Sequence, residues 1–499
     1  MADICVASHH SSIAGLLADN EFAALANRAG FLVELRLDFY SDLSSEALDR
    51  ALNRFSPSCV VTCRHPDEGG KNPALTNEQR LQFLQQAANR GVMYVDIEAR
   101  TPRSNFDKKT STLVVSAHDF TAAPENLLRS QPGKQVGKDD VEKIACMPVK
   151  PDDQLLLMRT LRERIGANWH GLLLGMGEAG LWTRILAPLF GAPFTFARGE
   201  GAPGTAPGQP TCRELDELYR VRQMRTGWPI YGVIGNPIGH SLSPLLHNTA
   251  FRELNMDGVY VPLKVEGDPV AFVKTFGDIG LRGVSITIPH KEANWSAIAE
   301  IDELARNIGA VNTLSFRDGR WHATNTDASG AVDSLEAVSG SLRGKRVAIL
   351  GAGGAARAVA YGIRERGGEI LIANRTRERA EALAKAVAAG VITPDALTSS
   401  RIDVVVNTTS VGMHPKVGES PLEKEQIPQG SIVFDTVYNP LRTKLLTLAE
   451  ERGCRTLGGA EMFIGQGVRQ FELWTGRKAP RAAVSAAILA ALSARQARQ

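Results

Sequence analysis

Apolar residues in this chain come in short runs with helix-period stretches between them. In the first half the runs lie at residues 4–7, 32–37, 59–63, 92–97, 113–116, 143–147, 172–175 and 194–196. Each has the length of a buried strand. Eight such runs in about 200 residues predict a (β/α)8 barrel. Residues 213–228 read as a last barrel helix and a short connector, and the pattern restarts with the apolar run 230–234. Further on, the run 347–350 leads into Gly351, Gly353 and Gly354 and an Ala-rich helical stretch, and a second run follows at 369–373. That order predicts a Rossmann-type domain. The fold class is therefore α/β, a TIM barrel followed by a half that contains a Rossmann domain.

Composition narrows the chemistry. With 499 residues, 43% apolar and 22% charged, the chain has the make-up of a multidomain globular protein. A net charge of +3 without a Lys/Arg run speaks against nucleic acid as a partner. No run of about 18 apolar residues exists to span a membrane, and the start, MADICVASHH, has no signal-peptide pattern. The six cysteines are scattered without ligand spacing, so they read as reduced thiols of a cytoplasmic protein and no metal site is expected.

Gly351-x-Gly353-x-x-Ala356 directly after a strand is a dinucleotide fingerprint, because glycine backbone can approach a pyrophosphate at the helix N-terminus. The second strand ends in Asn374-Arg375-Thr376, where an NAD site would carry a carboxylate. An arginine there attracts a 2′-phosphate, so the cofactor reads as NADP(H).

In the barrel, polar residues gather at the C-terminal ends of the runs, where such barrels place their chemistry. Lys143 opens the run KIACMP. A lysine kept dry loses proton affinity and becomes an amine able to form imines with ketones, whereas a lysine at a strand edge would extend to water. His118 follows VVSA and, taken alone, reads as a hydrogen-bonded core histidine. The segments ELRLD (34–38), TCRHPDEGG (62–70), SAHDF (116–120), KIACMP (143–148), GMGEAGLWTR (175–184) and TAPGQ (205–209) resemble type I 3-dehydroquinate dehydratase over about residues 1–222. The resemblance implies that 3-dehydroquinate is dehydrated through an imine on Lys143. His118 would be the general acid/base, Glu68 would orient it, and Arg184 would pair with the substrate carboxylate. Glu34, Arg36, Arg64, Thr205 and Gln209 would hold hydroxyls and carboxylate. The family often has serines around the methionine where this chain has Gly175 and Gly177.

In the second half, Ser243-Pro244 reads as a helix start, N-cap then N1. Together with GNPIGHSLSP (235–244), TIPHKEA (287–293), GAVNTL (309–314), TNTD (324–327) and GGAEMFIGQG (458–467), the dinucleotide fingerprint is similar to shikimate dehydrogenase over about residues 229–499. That resemblance implies a Lys291–Asp327 pair that moves the proton while 3-dehydroshikimate is reduced to shikimate with NADPH. It assigns the carboxylate to Ser241 and Ser243, with Tyr438 near it, and hydroxyls to Thr287, Asn312, Asp327 and Gln466. It assigns NADP to Gly353, Gly354, Ala355, Asn374, Arg375, Thr376 and Arg379 beside Gly351, and places Gly459 and Met462 near it, with Thr408, Thr409 and Ser410 toward the nicotinamide. The C-terminal stretch 468–492 reads as helix and would return to the substrate domain. The expected organisation is a barrel at 1–222, a linker at 223–228, a substrate domain at 229–332 with 467–499, and an NADP domain at 333–466. The order of the two activities and TIPHKE resemble the fused plant-type enzymes, without a transit-type leader. Small molecules are the expected partners and a monomer or homodimer the expected state. A quinate dehydrogenase and a sensor that lost its chemistry are the alternatives; Ser241-x-Ser243 and the two retained catalytic sets argue against them.

Overall fold

The computed structural model describes residues 2–497 apart from 103–105, 130–136, 138 and 168. The chain forms two compact units, Met1–His240 with Asp257–Leu281, and Ser241–Met256 with Arg282–Gln499.

In the first unit all eight apolar runs are strands: β1 (Asp3–Ala7), β2 (Phe31–Arg36), β3 (Cys59–Thr62), β4 (Tyr94–Glu98), β5 (Thr112–Asp119), β6 (Val141–Cys146), β7 (Gly171–Gly175) and β8 (Phe194–Arg198). They pair in parallel in the order β7-β6-β5-β4-β3-β2-β1-β8, a nearly closed barrel. Every residue of β2, β3, β6 and β7 is buried, so apolar side chains fill both faces while a few charged ones occupy the interior. Two boundaries matter for the site. β6 begins at Val141, which puts Lys143 inside the strand and away from water. The helix Gly177–Leu186 starts two residues past β7 and packs so tightly that a Cβ on Gly180 would lie 2.2 Å from the backbone of Gly175.

The last barrel helix is shorter than the sequence suggests. Glu214–Leu218 is one wide turn and Val221–Gln223 a tight 3-10 turn, with Arg220 at φ 55° between them. The buried Arg220 side chain donates to the Gly258 carbonyl at 2.9 Å and lies over Trp228, contacts that outweigh helix continuation. The same unit holds a parallel pair, β9 (Ile230–Gly235) and β10 (Val259–Lys264), and the helix Pro269–Gly277.

The second unit has two sheets. The first contains β11 (Leu281–Ile286), β12 (Ala299–Ile301), β13 (Thr313–Arg317) and β14 (Arg320–Thr324). β13 lies antiparallel to β11 and to β14, and the β13–β14 turn uses Asp318 and Gly319 at positive φ. The second sheet is fully parallel in the order β17-β16-β15-β18-β19-β20. Its strands are β15 (Arg346–Leu350), β16 (Glu369–Ala373), β17 (Gly390–Val391), β18 (Val404–Asn407), β19 (Ile432–Asp435) and β20 (Arg455–Gly458). Val347 and Ile349 meet Ala356, Val359 and Ile363 on one face, and Ala348 and Leu350 meet Val433 and Leu445 on the other, the Rossmann arrangement expected from the glycine run. The helix expected at 468–492 is two helices, Gly459–Thr475 and Arg481–Gln496. Gly476 at φ 66° ends the first, and Pro480 precedes the second.

Candidate active sites

The C-terminal mouth of the barrel opens into a cavity lined by all nine residues singled out there: Glu34, Arg36, Arg64, Glu68, His118, Lys143, Arg184, Thr205 and Gln209. They come from β2, β5 and β6, the loops after β3 and β8 and the helix after β7, so only barrel closure assembles them. Lys143 is 6% exposed, and its Nζ lies 4.4 Å from the centre of the Phe196 ring. Burial pushes its pKa down, and Arg64 pushes the same way against the pull of Asp96. His118 Nδ1 stands 3.0 Å from Glu68 Oε2. Burial, and then the cations Arg64, Lys143, Arg36 and Arg184, hold the imidazole well below its ordinary range, so it is neutral at pH 7. Burial raises Glu68 to about 7 against the opposing effect of Arg64. With Glu68 ionised, the carboxylate accepts Nδ1–H and leaves Nε2 free as a base.

Arg184 is 2% exposed and no ion pair is made to it among the described residues. Its Nε has no hydrogen-bond partner, and burial alone lowers its pKa to about 10. A dry, unneutralised guanidinium facing a cavity calls for an anion. Arg36 and Arg64 differ from it. Arg36 donates twice to Asp38, at 3.0 and 2.8 Å, and Arg64 donates to Ser116 at 2.6 Å and Asp96 at 2.8 Å. Both line the cavity with part of their donor capacity already used. Thr205 donates N–H (2.9 Å) and O–H (3.2 Å) to Gln209 Oε1, which fixes the Gly/Pro-rich loop after β8.

Asp96 and Glu98, at the end of β4, have no role in the sequence analysis. Asp96 accepts Lys143 Nζ at 2.9 Å. Glu98 accepts from the fully buried Arg80 at 2.7 and 2.8 Å and from the His65 N–H at 2.8 Å, and Arg80 also holds the Cys63 carbonyl. This clamp fixes the loop that carries Arg64 and Glu68. An Asp-x-Glu pair in an apolar strand was the available signal.

In the second unit Lys291 Nζ and Asp327 Oδ2 are 2.6 Å apart, with side chains 31% and 15% exposed. Lys291 sits on the short turn His290–Glu292 after β11. Asp327 opens the helix Thr326–Ser339, capped by Asn325, whose Oδ1 accepts from the Asp327 and Ala328 N–H groups. The segment between β11 and β13 ties them together: Val311 N–H donates to the Lys291 carbonyl at 2.8 Å, and Asn312 Oδ1 accepts from Thr326 N–H at 2.8 Å. Asn312, expected to meet a substrate hydroxyl, also donates Nδ2 to Thr326 Oγ1 and is 2% exposed, so its amide is engaged within the fold. Gln470, absent from the sequence reading, accepts from Ser285 Oγ at 2.7 Å and donates to Thr313 Oγ1 at 2.9 Å beneath the pair. Tyr438 stacks on Phe463, Gln466 donates to the Phe463 carbonyl, and the Gln466 backbone abuts Gly330 one turn beyond Asp327. Ser243 is the first helical residue and Leu242 takes the cap position, because Ser241 Oγ accepts the Ser243 N–H at 3.2 Å. Thr287 offers its carbonyl to His290 N–H.

The Gly351 backbone is at φ 115°, with Thr408 Oγ1 2.6 Å from where a Cβ would sit. Gly353 and Gly354, at the N-terminus of the helix Gly354–Glu365, have open space there, and Ala355 is half-buried. Past β16, Asn374 donates to the Thr376 carbonyl, while Arg375 and Arg379 are exposed and in no ion pair among the described residues. Open glycine backbone followed by two free cations suits a dinucleotide with a 2′-phosphate. Gly459 stands where a Cβ would strike the Thr436 carbonyl at 2.3 Å, and Met462 is buried in the core against β15.

Residues 4–226 match the type I 3-dehydroquinase family. Residues 233–314 match the shikimate dehydrogenase substrate binding domain, 459–489 the shikimate 5'-dehydrogenase C-terminal domain, and 346–439 the coenzyme F420-dependent NADP oxidoreductase family. Over 478 residues, 90% of this chain and 78% of the relative, the sequence is 37% identical to the chloroplastic bifunctional 3-dehydroquinate dehydratase/shikimate dehydrogenase of Arabidopsis thaliana. The chain belongs to the bifunctional 3-dehydroquinate dehydratase/shikimate dehydrogenase family. Its second half is 44% identical over 260 residues to the shikimate dehydrogenase (NADP(+)) of Bacillus cereus, across 50% of this chain and 93% of that one. A solved shikimate dehydrogenase in complex with NADP+ superposes with a TM-score of 0.51 at 36% identity, over 53% of this chain and 96% of that chain. The protein is thus a lyase that converts 3-dehydroquinate to 3-dehydroshikimate through a lysine Schiff base. It is also an NADP-dependent oxidoreductase that takes 3-dehydroshikimate to shikimate. Among the described residues no cluster could hold a metal ion and no helix is long and apolar enough to cross a membrane.

Proposed function

We propose the following division of labour among the residues. In the barrel, Lys143 forms the imine with the substrate ketone and the protonated imine acidifies the adjoining carbon. His118 removes that proton through Nε2 and returns one to the departing hydroxyl, held in register by Glu68. Arg184 takes the carboxylate, and Glu34, Arg36, Arg64, Thr205 and Gln209 take the remaining oxygens. The observation that carries this reading is the convergence of a dry lysine, a neutral histidine on a carboxylate and an unneutralised arginine in one cavity.

In the second unit Lys291, oriented by its hydrogen bond to Asp327, donates the proton to the oxygen of the ketone as it is reduced. Bound NADPH supplies the hydride. Gly351, Gly353, Gly354 and Ala355 would hold its pyrophosphate, Asn374, Arg375, Thr376 and Arg379 its adenosine phosphate, and Gly459 and Met462 would shape the nicotinamide side. Ser241, Ser243 and Tyr438 would hold the substrate carboxylate, and Thr287, Asn312, Asp327 and Gln466 its hydroxyls.

Domain borders at 222, 229, 333 and 467 belong to this reading, as does work in a reducing compartment such as the cytoplasm, which the six free cysteines suit. The oligomeric state, monomer or homodimer, is read by light scattering. The test of function follows loss of NADPH with 3-dehydroquinate as the only substrate. Loss is expected for the native chain and not for Lys143→Ala or Lys291→Ala; with 3-dehydroshikimate, Lys143→Ala should recover fully. Loss from 3-dehydroquinate that survives Lys143→Ala would overturn the assignment in the barrel.

A further inference from the structure

Forming an imine takes Lys143 through two changes of charge. The ammonium gives up a proton, and the free amine attacks the ketone carbon. The carbonyl oxygen leaves as water with two hydrogens, and the nitrogen keeps one hydrogen and a positive charge. In sum, R–NH3+ and a ketone become a protonated imine and water. The nitrogen is cationic at both ends of the sequence and neutral at the moment of attack. A carboxylate whose sole partner was Lys143 would be stranded in a dry interior at that moment, a severe cost.

Asp96 is built to avoid this. It sits on β4, 1% exposed, and does not line the cavity. Its Oδ2 accepts from Lys143 at 2.9 Å and from Arg64 at 2.8 Å, and its Oδ1 accepts from Ser116 Oγ at 2.6 Å. Arg64 NH1 closes the triangle on Ser116 at 2.6 Å. When Lys143 is neutral, Asp96 keeps a permanent cation and a hydroxyl. When the nitrogen regains its charge as the imine, the same carboxylate is already in place, because that nitrogen is Nζ itself.

We propose that Asp96 is a positioning residue of the dehydratase, a counter-ion shared between Lys143 and Arg64 that lets Lys143 alternate between amine and protonated imine without leaving a buried charge unpaired. The inference rests on Lys143 being the imine lysine. The other groups around Nζ do not replace Asp96. Glu34 from β2 is bonded by Thr62 at 2.8 Å, and His118 from β5 is neutral. Arg64 and Arg184 are cations, and Cys5 of β1 is a thiol pushed well up by burial. The Phe196 ring covers one side. Burial opposes ionisation of Asp96, but Arg64 and Lys143 prevail and lower it to about 2, so it stays ionised throughout the working range.

The test uses the full-length protein with Asp96→Asn, and with Ser116→Ala as a neutral change that loosens the same carboxylate. The imine is trapped with borohydride in the presence of 3-dehydroshikimate and counted by mass, as a function of pH. Hydrogen exchange in peptides spanning β7 and β8 of the same sample reports a folded barrel. With its counter-ion gone and Arg64 beside it, Lys143 should lose its proton more readily. The pH at which trapping rises should move down by at least one pH unit in Asp96→Asn and by less in Ser116→Ala. Dehydratase kcat should fall about 100-fold in Asp96→Asn, with KM within threefold, since the protonated imine has lost its partner. A kcat loss with an unmoved trapping profile would make Asp96 merely structural and overturn the proposal. So would a kcat within threefold of native, or a trapping profile that moves upward. If Asp96→Asn fails to fold, Ser116→Ala decides alone: a downward shift with reduced kcat upholds the idea and an unmoved profile ends it. Loss of the imine by Lys143→Ala in the same assay checks the underlying assignment separately.

Discussion

Arg184 should destabilise the barrel until an anion arrives. Its guanidinium is buried without a counter-charge among the described residues and held at pKa about 10 by that burial alone. The charged form is the one penalised. The penalty is therefore fully present at any pH below about 10 and relieved only above it. Its size follows from the displacement of the pKa and comes to about 3 kcal/mol. Arg184→Met keeps an unbranched apolar stem and removes the charge. The variant should gain up to about 3 kcal/mol, which for a barrel of this size raises the midpoint of thermal unfolding by roughly 6–12 °C. Hydrogen exchange in peptides spanning β7 and β8, followed with temperature, reads the barrel alone. 3-Dehydroshikimate should raise the native midpoint and leave that of Arg184→Met unmoved, and dehydratase KM should rise at least 100-fold. A variant that melts at or below the native temperature, or is protected equally by the ligand, would show that Arg184 already has a partner and that the carboxylate binds elsewhere.

Two further outcomes follow from the same geometry. Glu68 at about 7 must be ionised to accept from His118. Dehydratase kcat/KM should therefore fall about tenfold from pH 8 to pH 6, and Glu68→Gln should flatten that limb at a lower plateau. An unchanged limb in the variant would remove Glu68 from the dyad. Arg375 is exposed past β16 and in no ion pair among the described residues, so Arg375→Ser should reduce the preference for NADPH over NADH by about 10–100-fold while kcat with saturating NADPH changes little, measured by initial rates with each cofactor.

The strands were readable because each barrel strand is buried on both faces and must be apolar nearly throughout; all eight runs proved to be strands, with no end displaced by more than three residues. Gly351 was readable because its backbone is at φ 115° with Thr408 against the Cβ position, and Gly353 and Gly354 because they leave the helix N-terminus open. Motif order pointed to Lys143, to His118 with Glu68 and to Lys291 with Asp327, but the partner of Lys143 lies on another strand. Asp96 is 47 positions from Lys143, and Glu98 is 18 from Arg80, so neither contact has a local pattern. Caps and breaks failed for a similar reason. Ser243 looked like a cap until Ser241 took the hydrogen bond, and Arg220 broke a helix for a distant carbonyl at Gly258. Such choices are settled by tertiary partners rather than by local preference.

The two lysine pairs differ in their access to solvent, with consequences for the ionic milieu. Lys143 and Asp96 are 7% and 0% exposed, Lys291 and Asp327 31% and 15%. Mobile ions screen a pair they can approach and hardly reach one sealed inside a barrel; at 1 M salt the screening length is about 3 Å, close to the separation of the exposed pair. Rising salt therefore weakens the hold of Asp327 on its lysine while that of Asp96 persists. In a fused enzyme this moves the bottleneck. Concentrated electrolyte slows the reducing step first, and the intermediate 3-dehydroshikimate accumulates between two activities that share one chain.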